Sequence, residues 1–139
     1  MQNKIFKPLF DKLFWWTFIP TAILLAVMTA FSALAPITLL VTIPTDLFSA
    51  YFFVSPFFAY VELRENSVFI KFGFLLKKEI PYNKIRRVEK DRKIYSESIL
   101  ALKNALEHVN IRYNTYDVAT VSVKDNDLFI EELNVRRAL

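Results

Sequence analysis

The sequence predicts an α+β protein: an N-terminal two-helix transmembrane hairpin, then a small antiparallel β domain that ends in one helix. Three observations carry this reading. Residues 13–61 are forty-nine positions with one charged side chain, Asp46, and no Lys or Arg. From residue 57 onward the hydrophobic pattern alternates with a period of two, as strands require. The end of the chain then returns to helical spacing, with Phe129, Ile130 and Leu133 on one stripe.

The composition narrows the function classes. The 139 residues are enough for one domain and an appendage. Charge is concentrated in residues 62–139, which hold fifteen Lys plus Arg and twelve Asp plus Glu. A net charge of +4 is too dilute to suggest a nucleic-acid surface. The absence of Cys excludes disulfides, thiolate nucleophiles and cysteine metal sites. One His cannot build a histidine-rich metal centre, Ser96 and Ser98 have no nearby His–Asp partner in the sequence so a catalytic triad is unsupported, and one Gly leaves no glycine-rich phosphate loop. No cofactor and no enzymatic activity are expected.

Residues 1–12 carry Lys4, Lys7 and Lys12 against Asp11 and read as a cytoplasmic lead. A cleaved signal peptide is not expected, because the apolar run is too long and no small-residue cleavage site precedes a polar start. The hairpin occupies residues 13–56. Its first span, about 14–34, opens on Phe14-Trp15-Trp16, whose indoles suit the headgroup level. Two registers fit the rest of the apolar run. In the preferred one the turn lies near 32–36, the second span covers about 37–54, and Asp46 falls near its middle. In the other, 43–46 is the turn and a short second helix covers 47–60. Basic residues flank the hairpin on both sides and none lies inside it. The positive-inside rule therefore places both termini in the cytoplasm of a multi-pass plasma-membrane protein.

Residues 57–139 read as the cytoplasmic domain. Val61 and Leu63 oppose Glu62 and Arg64, Glu65-Asn66-Ser67 turns the chain, and Val68, Ile70 and Phe72 share a face, which makes a β-hairpin. Gly73 closes its second strand. Residues 77–82 and 84–91 read as two further strands, with Pro81 marking an edge or an end. Residues 93–105, with Ser96, Ser98, Leu100, Ala101 and Leu102, fit a loop, a short helix, or a loop plus strand. Residues 107–113 and 118–123 are strands joined by Asn114-Thr115-Tyr116-Asp117 turn chemistry. Ser122 and Asp125 then fit a capping box ahead of a helix that runs to about Arg137. Early acidic and late basic residues in that helix complement its dipole.

The local residues, taken in order, resemble the bacterial membrane-anchored pleckstrin-homology-like proteins. The resemblance rests on Tyr60-Val61-Glu62-Leu63-Arg64-Glu65-Asn66 with Ile70-Lys71-Phe72-Gly73, then Lys77-Lys78-Glu79-Ile80-Pro81 with Ile85. It continues through Ile111-Arg112-Tyr113-Asn114-Thr115-Tyr116-Asp117 and closes on Ser122-Val123-Lys124-Asp125 with Phe129, Ile130 and Leu133. It covers about residues 57–135. Val123 stands where that family often has Pro, and His108 where it often has Arg. The resemblance implies two small antiparallel sheets plugged at one end by the helix, and it implies no reaction.

Two groups of residues are candidate sites. Lys77, Lys78, Lys84, Arg86 and Arg87 are candidate lipid-surface contacts, since basic residues near an anionic leaflet are each worth about 1 kcal/mol. A solvated, ion-paired strand surface is the plainer reading of the same residues. Relatives that bind phosphoinositides use basic residues in the first hairpin loop, and Glu65-Asn66-Ser67 argues against that here. Asp46 is the candidate intramembrane polar site, because a carboxylate in a span is costly. A place at the outer turn is its plainer reading. His108 reads as an exposed strand residue. The expected function is a non-catalytic, membrane-anchored binding or scaffold module that recruits a protein partner at the cytoplasmic membrane face. The expected partners are the lipid bilayer, a protein and a second copy of the chain, with no nucleic acid. The alternative is an oligomeric membrane protein in which Asp46 serves ion translocation or envelope-stress and antimicrobial resistance.

Overall fold

A computed structural model describes residues 2–99 and 101–139. The N-terminal segment already belongs to the β domain. Strand β1 (Lys4–Phe6) pairs antiparallel with β2 (Tyr60–Leu63), setting Phe6 opposite Val61. Strands β3 (Ser67–Lys71) and β4 (Lys77–Pro81) follow by antiparallel pairing, so the first sheet has the order β1-β2-β3-β4. The second sheet has the order β5-β7-β8-β6, from β5 (Ile85–Arg92), β6 (Ala101–Leu102), β7 (Glu107–Tyr113) and β8 (Asp117–Val121). Among the described residues, only β6, against β8, pairs in parallel.

Residues 7–9 link the two sheets. The Leu9 amide donates to the Ser122 carbonyl at 3.0 Å, and the Lys124 amide donates to the Lys7 carbonyl at 3.0 Å. Residues 1–12, expected as a separate lead, therefore supply a strand and a seam of the domain. Three residues are too few for a period-two signal, and only Phe6 and Pro8 of this segment are buried among the described residues. Such a strand is invisible to pattern reading.

Helices α1 (Lys12–Ser32) and α2 (Leu39–Val54) form the apolar hairpin, inserted between β1 and β2. At 1.5 Å per residue α1 is about 30 Å long, enough for a bilayer core. Residues 33–38 make the turn, with a 3₁₀ turn at Pro36–Thr38. This is the preferred of the two expected registers, and it leaves Asp46 in mid-helix. Neither helix buries a residue fully. Phe14, Phe18, Leu25 and Thr29 of α1 are half-buried, as are Leu39, Thr42, Asp46, Ser49 and Phe53 of α2. Their three-and-four spacing is that of a helix–helix seam.

Helix α3 (Asn126–Ala138) closes the core. Phe129 and Leu133 are fully buried against Val61, Ile70, Val109 and Ile111, and the Phe6 and Phe129 rings meet edge-on at 5.2 Å. Its N-cap is Asp125, whose carboxylate accepts the Leu128 amide at 3.0 Å. The expected cap, Ser122, is buried, and its hydroxyl instead donates to the Glu107 carbonyl. The helix start shifts because 122–124 are committed to pairing with 7–9.

The described residues of 93–106 lead from the β5 edge of the second sheet to its β6 edge, with Ser98 bound to the Val118 carbonyl and Glu97 2.7 Å from Arg112, and among them β6 is the strand formed. Leu100 of that segment lies outside the described residues. Beneath it, β7 is buried on both faces. Val109 and Ile111 face the core; His108 and Asn110 face outward and are covered.

Candidate functional site

Strand direction separates the domain into two poles. The end of β1, the start of β2, the end of β3 and the start of β4 lie together beside the hairpin, because Phe6 pairs with Val61, Tyr60 with Lys71, and Lys71 with Lys77. The opposite pole holds 64–66, the 3₁₀ turn Tyr82–Lys84, the 114–116 turn and the end of α3.

The five basic candidates divide between these poles. Lys77 and Lys78 open β4 at the hairpin end. Lys84, Arg86 and Arg87 lie at the far pole, where β5 begins. Among the described residues, Lys77, Lys78, Lys84 and Arg86 have no ion pair, while Arg87 Nε meets Glu89 at 2.6 Å. Farther along β5, Lys90 meets Asp127 at 2.9 Å and Lys93 meets Asp91 at 2.7 Å. Arg87, Lys90 and Lys93 are thus ion-paired on the strand surface. Of the five candidates, the four without an ion pair among the described residues therefore lie on β4 and just before or at the start of β5.

Two grooves open at the far pole. One, of about 610 Å³, runs between Glu65, Asn66, Tyr82, Asn83 and Arg137, with Arg136 at its floor. The other, of about 320 Å³, is lined by Arg86, Arg87, Arg112 and the 113–118 turn. No pattern in the sequence marks Arg136, yet it organises this pole. Its guanidinium is buried and donates to the carbonyls of Leu63 at 3.2 Å, Arg64 at 3.1 Å and Gln2 at 2.7 Å. The Tyr82 hydroxyl donates to the same Arg64 carbonyl at 2.6 Å. Burial raises the Tyr82 phenol above its ordinary range, and Arg136 opposes that rise. One side chain therefore ties α3 to the N-terminal segment and to the end of β2.

Asp46 lies in the hairpin seam. The Thr29 hydroxyl stands 2.7 Å from its carboxylate and also 2.8 Å from the Leu25 carbonyl. One turn closer to the bend, Thr42 meets Ser32 at 3.0 Å. The seam is polar near its turn and aromatic near its base, where Phe18 meets Phe53 and Phe10 stacks on Phe57.

Asp11, in the sequence no more than a charge, proves to be a joint. Its Oδ1 accepts the Phe14 amide at 3.0 Å, capping α1, and its Oδ2 accepts the Leu106 amide at 2.7 Å. An acidic residue just before an apolar helical run is an N-cap signature and could have been found. His108 corrects an expectation: it is fully buried, with Nδ1 2.9 Å from the Leu106 carbonyl and Nε2 lacking a partner among the described residues. Alternation places it on the outer face of β7, but 93–106 covers that face, and no local signal announces such a cover.

Curated proteins and solved structures offer no match. The family model described as "Bacterial PH domain" matches residues 59–137, which is more than half of the chain and spans β2 to α3. It begins after the hairpin, so β1 and the two apolar helices lie outside the matched region. Two small sheets, a closing C-terminal helix and this match agree, and the chain belongs to the bacterial PH domain family.

Proposed function

We propose that this protein is a membrane-anchored, non-catalytic binding module whose far pole recruits a protein partner with an acidic surface. The apolar hairpin spans the plasma membrane, with both termini on the cytoplasmic face. Two features support that topology. Lys7, Lys12, Lys71, Lys77 and Lys78 lie on the segments that meet at the hairpin base, while the 33–38 turn carries no charge. The pairing of β1 with β2 also keeps both hairpin ends on one side of the bilayer.

The observation that carries the binding role is the division of the basic residues. Lys84 and Arg86 have no ion pair among the described residues and lie at the pole opposite the hairpin, where Arg86 lines one groove and Lys84 follows Asn83 of the other. Basic residues so placed steer an acidic partner rather than the lipid below. Lys77, at the hairpin end of β4, is the member of the set positioned for headgroups, while the Lys78 ammonium lies over the Tyr113 ring at 5.7 Å. Membership in the bacterial PH domain family favours binding over catalysis. The reading centred on Asp46 has less support, since Thr29 of the same hairpin already engages its carboxylate.

In-cell crosslinking of the intact protein tests the proposal. A specific partner captured by the natural chain should be lost from R86E/R87E and retained by D46N. Loss from D46N with the domain intact, and retention by R86E/R87E, would reverse the assignment.

A further inference from the structure

We infer a second membrane footprint: the apolar 73–76 loop and the apolar ends of the 94–99 loop, Ile94 and Ile99, dip into the lipid interface beside the helices at the hairpin end of the β domain and seat the domain against the bilayer, while Glu97 stays paired with Lys93 and Arg112. The inference rests on the proposal that the hairpin spans the membrane.

The first loop joins β3 to β4 and carries Phe74-Leu75-Leu76. All three are exposed, Leu75 at 77%. Its backbone is held against the hairpin rather than free. Gly73 has φ +154°, and a Cβ there would collide with Ser55 Oγ, which also accepts the Phe74 amide at 3.3 Å. The Phe74 ring lies 4.8 Å from Phe58 and 5.8 Å from Tyr51. The loop thus approaches the end of α2 so closely that only glycine fits.

The second loop follows β5 and carries Ile94, Tyr95 and Ile99, with Ile94 81% exposed and Ile99 fully exposed. It too has a built support. The Lys103 ammonium donates to the carbonyls of Lys93, Ile94 and Tyr95, the last two at 2.7 and 3.2 Å. Ile94 borders the same cleft as Leu13 and Phe14 at the start of α1. Ile99 borders the same cleft as Tyr51, Pro56 and Leu76 at the end of α2. The two loops therefore flank the hairpin base.

The occupant follows from continuity and charge. Apolar surface of this kind marks an interaction site, and here it is contiguous with helices of bilayer length. Trp15, Trp16 and Tyr51, residues that favour the headgroup level, stand at the same end. Lys12, which opens α1, and Lys77, which opens β4, stand at the same end, as anionic headgroups require. A second copy of the chain would leave these cations facing identical ones.

The chain has no cysteine, so single-cysteine variants of the full-length protein can be spin-labelled and reconstituted into vesicles of phosphatidylcholine and phosphatidylglycerol. Oxygen partitions into lipid and a nickel chelate into water. Leu75→Cys and Ile99→Cys should show an oxygen-to-nickel accessibility ratio several-fold above that of Tyr116→Cys at the far pole, approaching Leu24→Cys on the outer face of α1. If either loop position matches Tyr116→Cys while Leu24→Cys remains lipid-exposed, the footprint is overturned and the spanning hairpin survives. If Leu24→Cys is itself water-accessible, both fall. Dilution with unlabelled protein is the last control. Spectral broadening at Leu75→Cys that dilution relieves would show a second copy on the loops and would overturn the lipid assignment.

Discussion

Asp11 shows how much one residue at a junction can hold. It caps α1 through Phe14 and anchors the covering segment through Leu106. Loss of an N-cap costs about 1 kcal/mol, and the half-buried Leu106 amide left without an acceptor adds up to about 1 kcal/mol. Asp11→Ala should therefore lower the thermal midpoint in detergent clearly, and Asp11→Asn should lower it less, because the amide oxygen still accepts. Gly73 permits a similar test. An L side chain there is strained by its φ and blocked by Ser55, so Gly73→Ala should destabilise by about 1–3 kcal/mol. Ser55→Gly should recover only part of that loss, since the backbone strain remains. Both residues are visible in the sequence for different reasons. Asp11 stands where caps stand, and Gly73 is the one glycine. Arg136 and His108 are not, because their roles depend on chain segments 72 or more residues away, or on a covering loop.

At the scale of elements, the sequence is legible where a pattern repeats often enough to be counted. The two helices, the strands from β2 to β5, β7, β8 and α3 have apolar faces of period 3.6 or 2 and polar turns between them. Strand β1 and the short β6 fail that condition, since two or three residues carry no period. The N-cap of α3 moves from its expected place because tertiary pairing of 122–124 overrides a local capping pattern. Ion pairs then tie these elements together, and their pH dependence is predictable in sign. Hydrogen bonds hold four carboxylates below the ordinary range: Ser67 acts on Glu79, Lys93 on both Asp91 and Glu97, and Lys4 on Glu132. Between their folded and unfolded pKa values the unfolded chain binds more protons, so stability falls as the pH falls. The contribution is complete above the ordinary carboxylate pKa of about 4.3 and is lost as pH drops through the depressed folded values. These groups are exposed, so the effect is small and screened by salt. Thermal melts should show a stability decline below about pH 4, shallower in K4A, which removes the α3–β1 pair between Lys4 and Glu132.

For the whole molecule, the decisive fact is that the hairpin is an insertion rather than a leader. Residues 4–6 and 61–63 are neighbours in one sheet although 49 residues of apolar chain separate Lys12 from Glu62. In the proposed topology, an inserted hairpin couples the domain to the bilayer at two points, so the domain cannot swing as it would on a single tether. The same fact predicts which truncation folds. The family match begins at residue 59, which invites a soluble version starting there. That piece lacks Phe6, buried against Phe129, and lacks the Gln2 carbonyl that Arg136 uses. Exposing the Phe129 edge costs about 2 kcal/mol, and leaving a buried guanidinium with one fewer acceptor costs about 1–3 kcal/mol. A chain that keeps residues 1–9 and joins them to residue 59 through a short glycine–serine linker retains both contacts. It should be soluble, disperse its amide resonances and unfold in one cooperative transition. The version beginning at residue 59 should unfold several degrees lower or aggregate, as expected for a domain of this size that loses a few kcal/mol. Equal melting of the two chains would show that β1 contributes nothing to the domain. Stability in the linked chain alone would show that the first strand of the fold lies on the far side of the apolar hairpin from all the others.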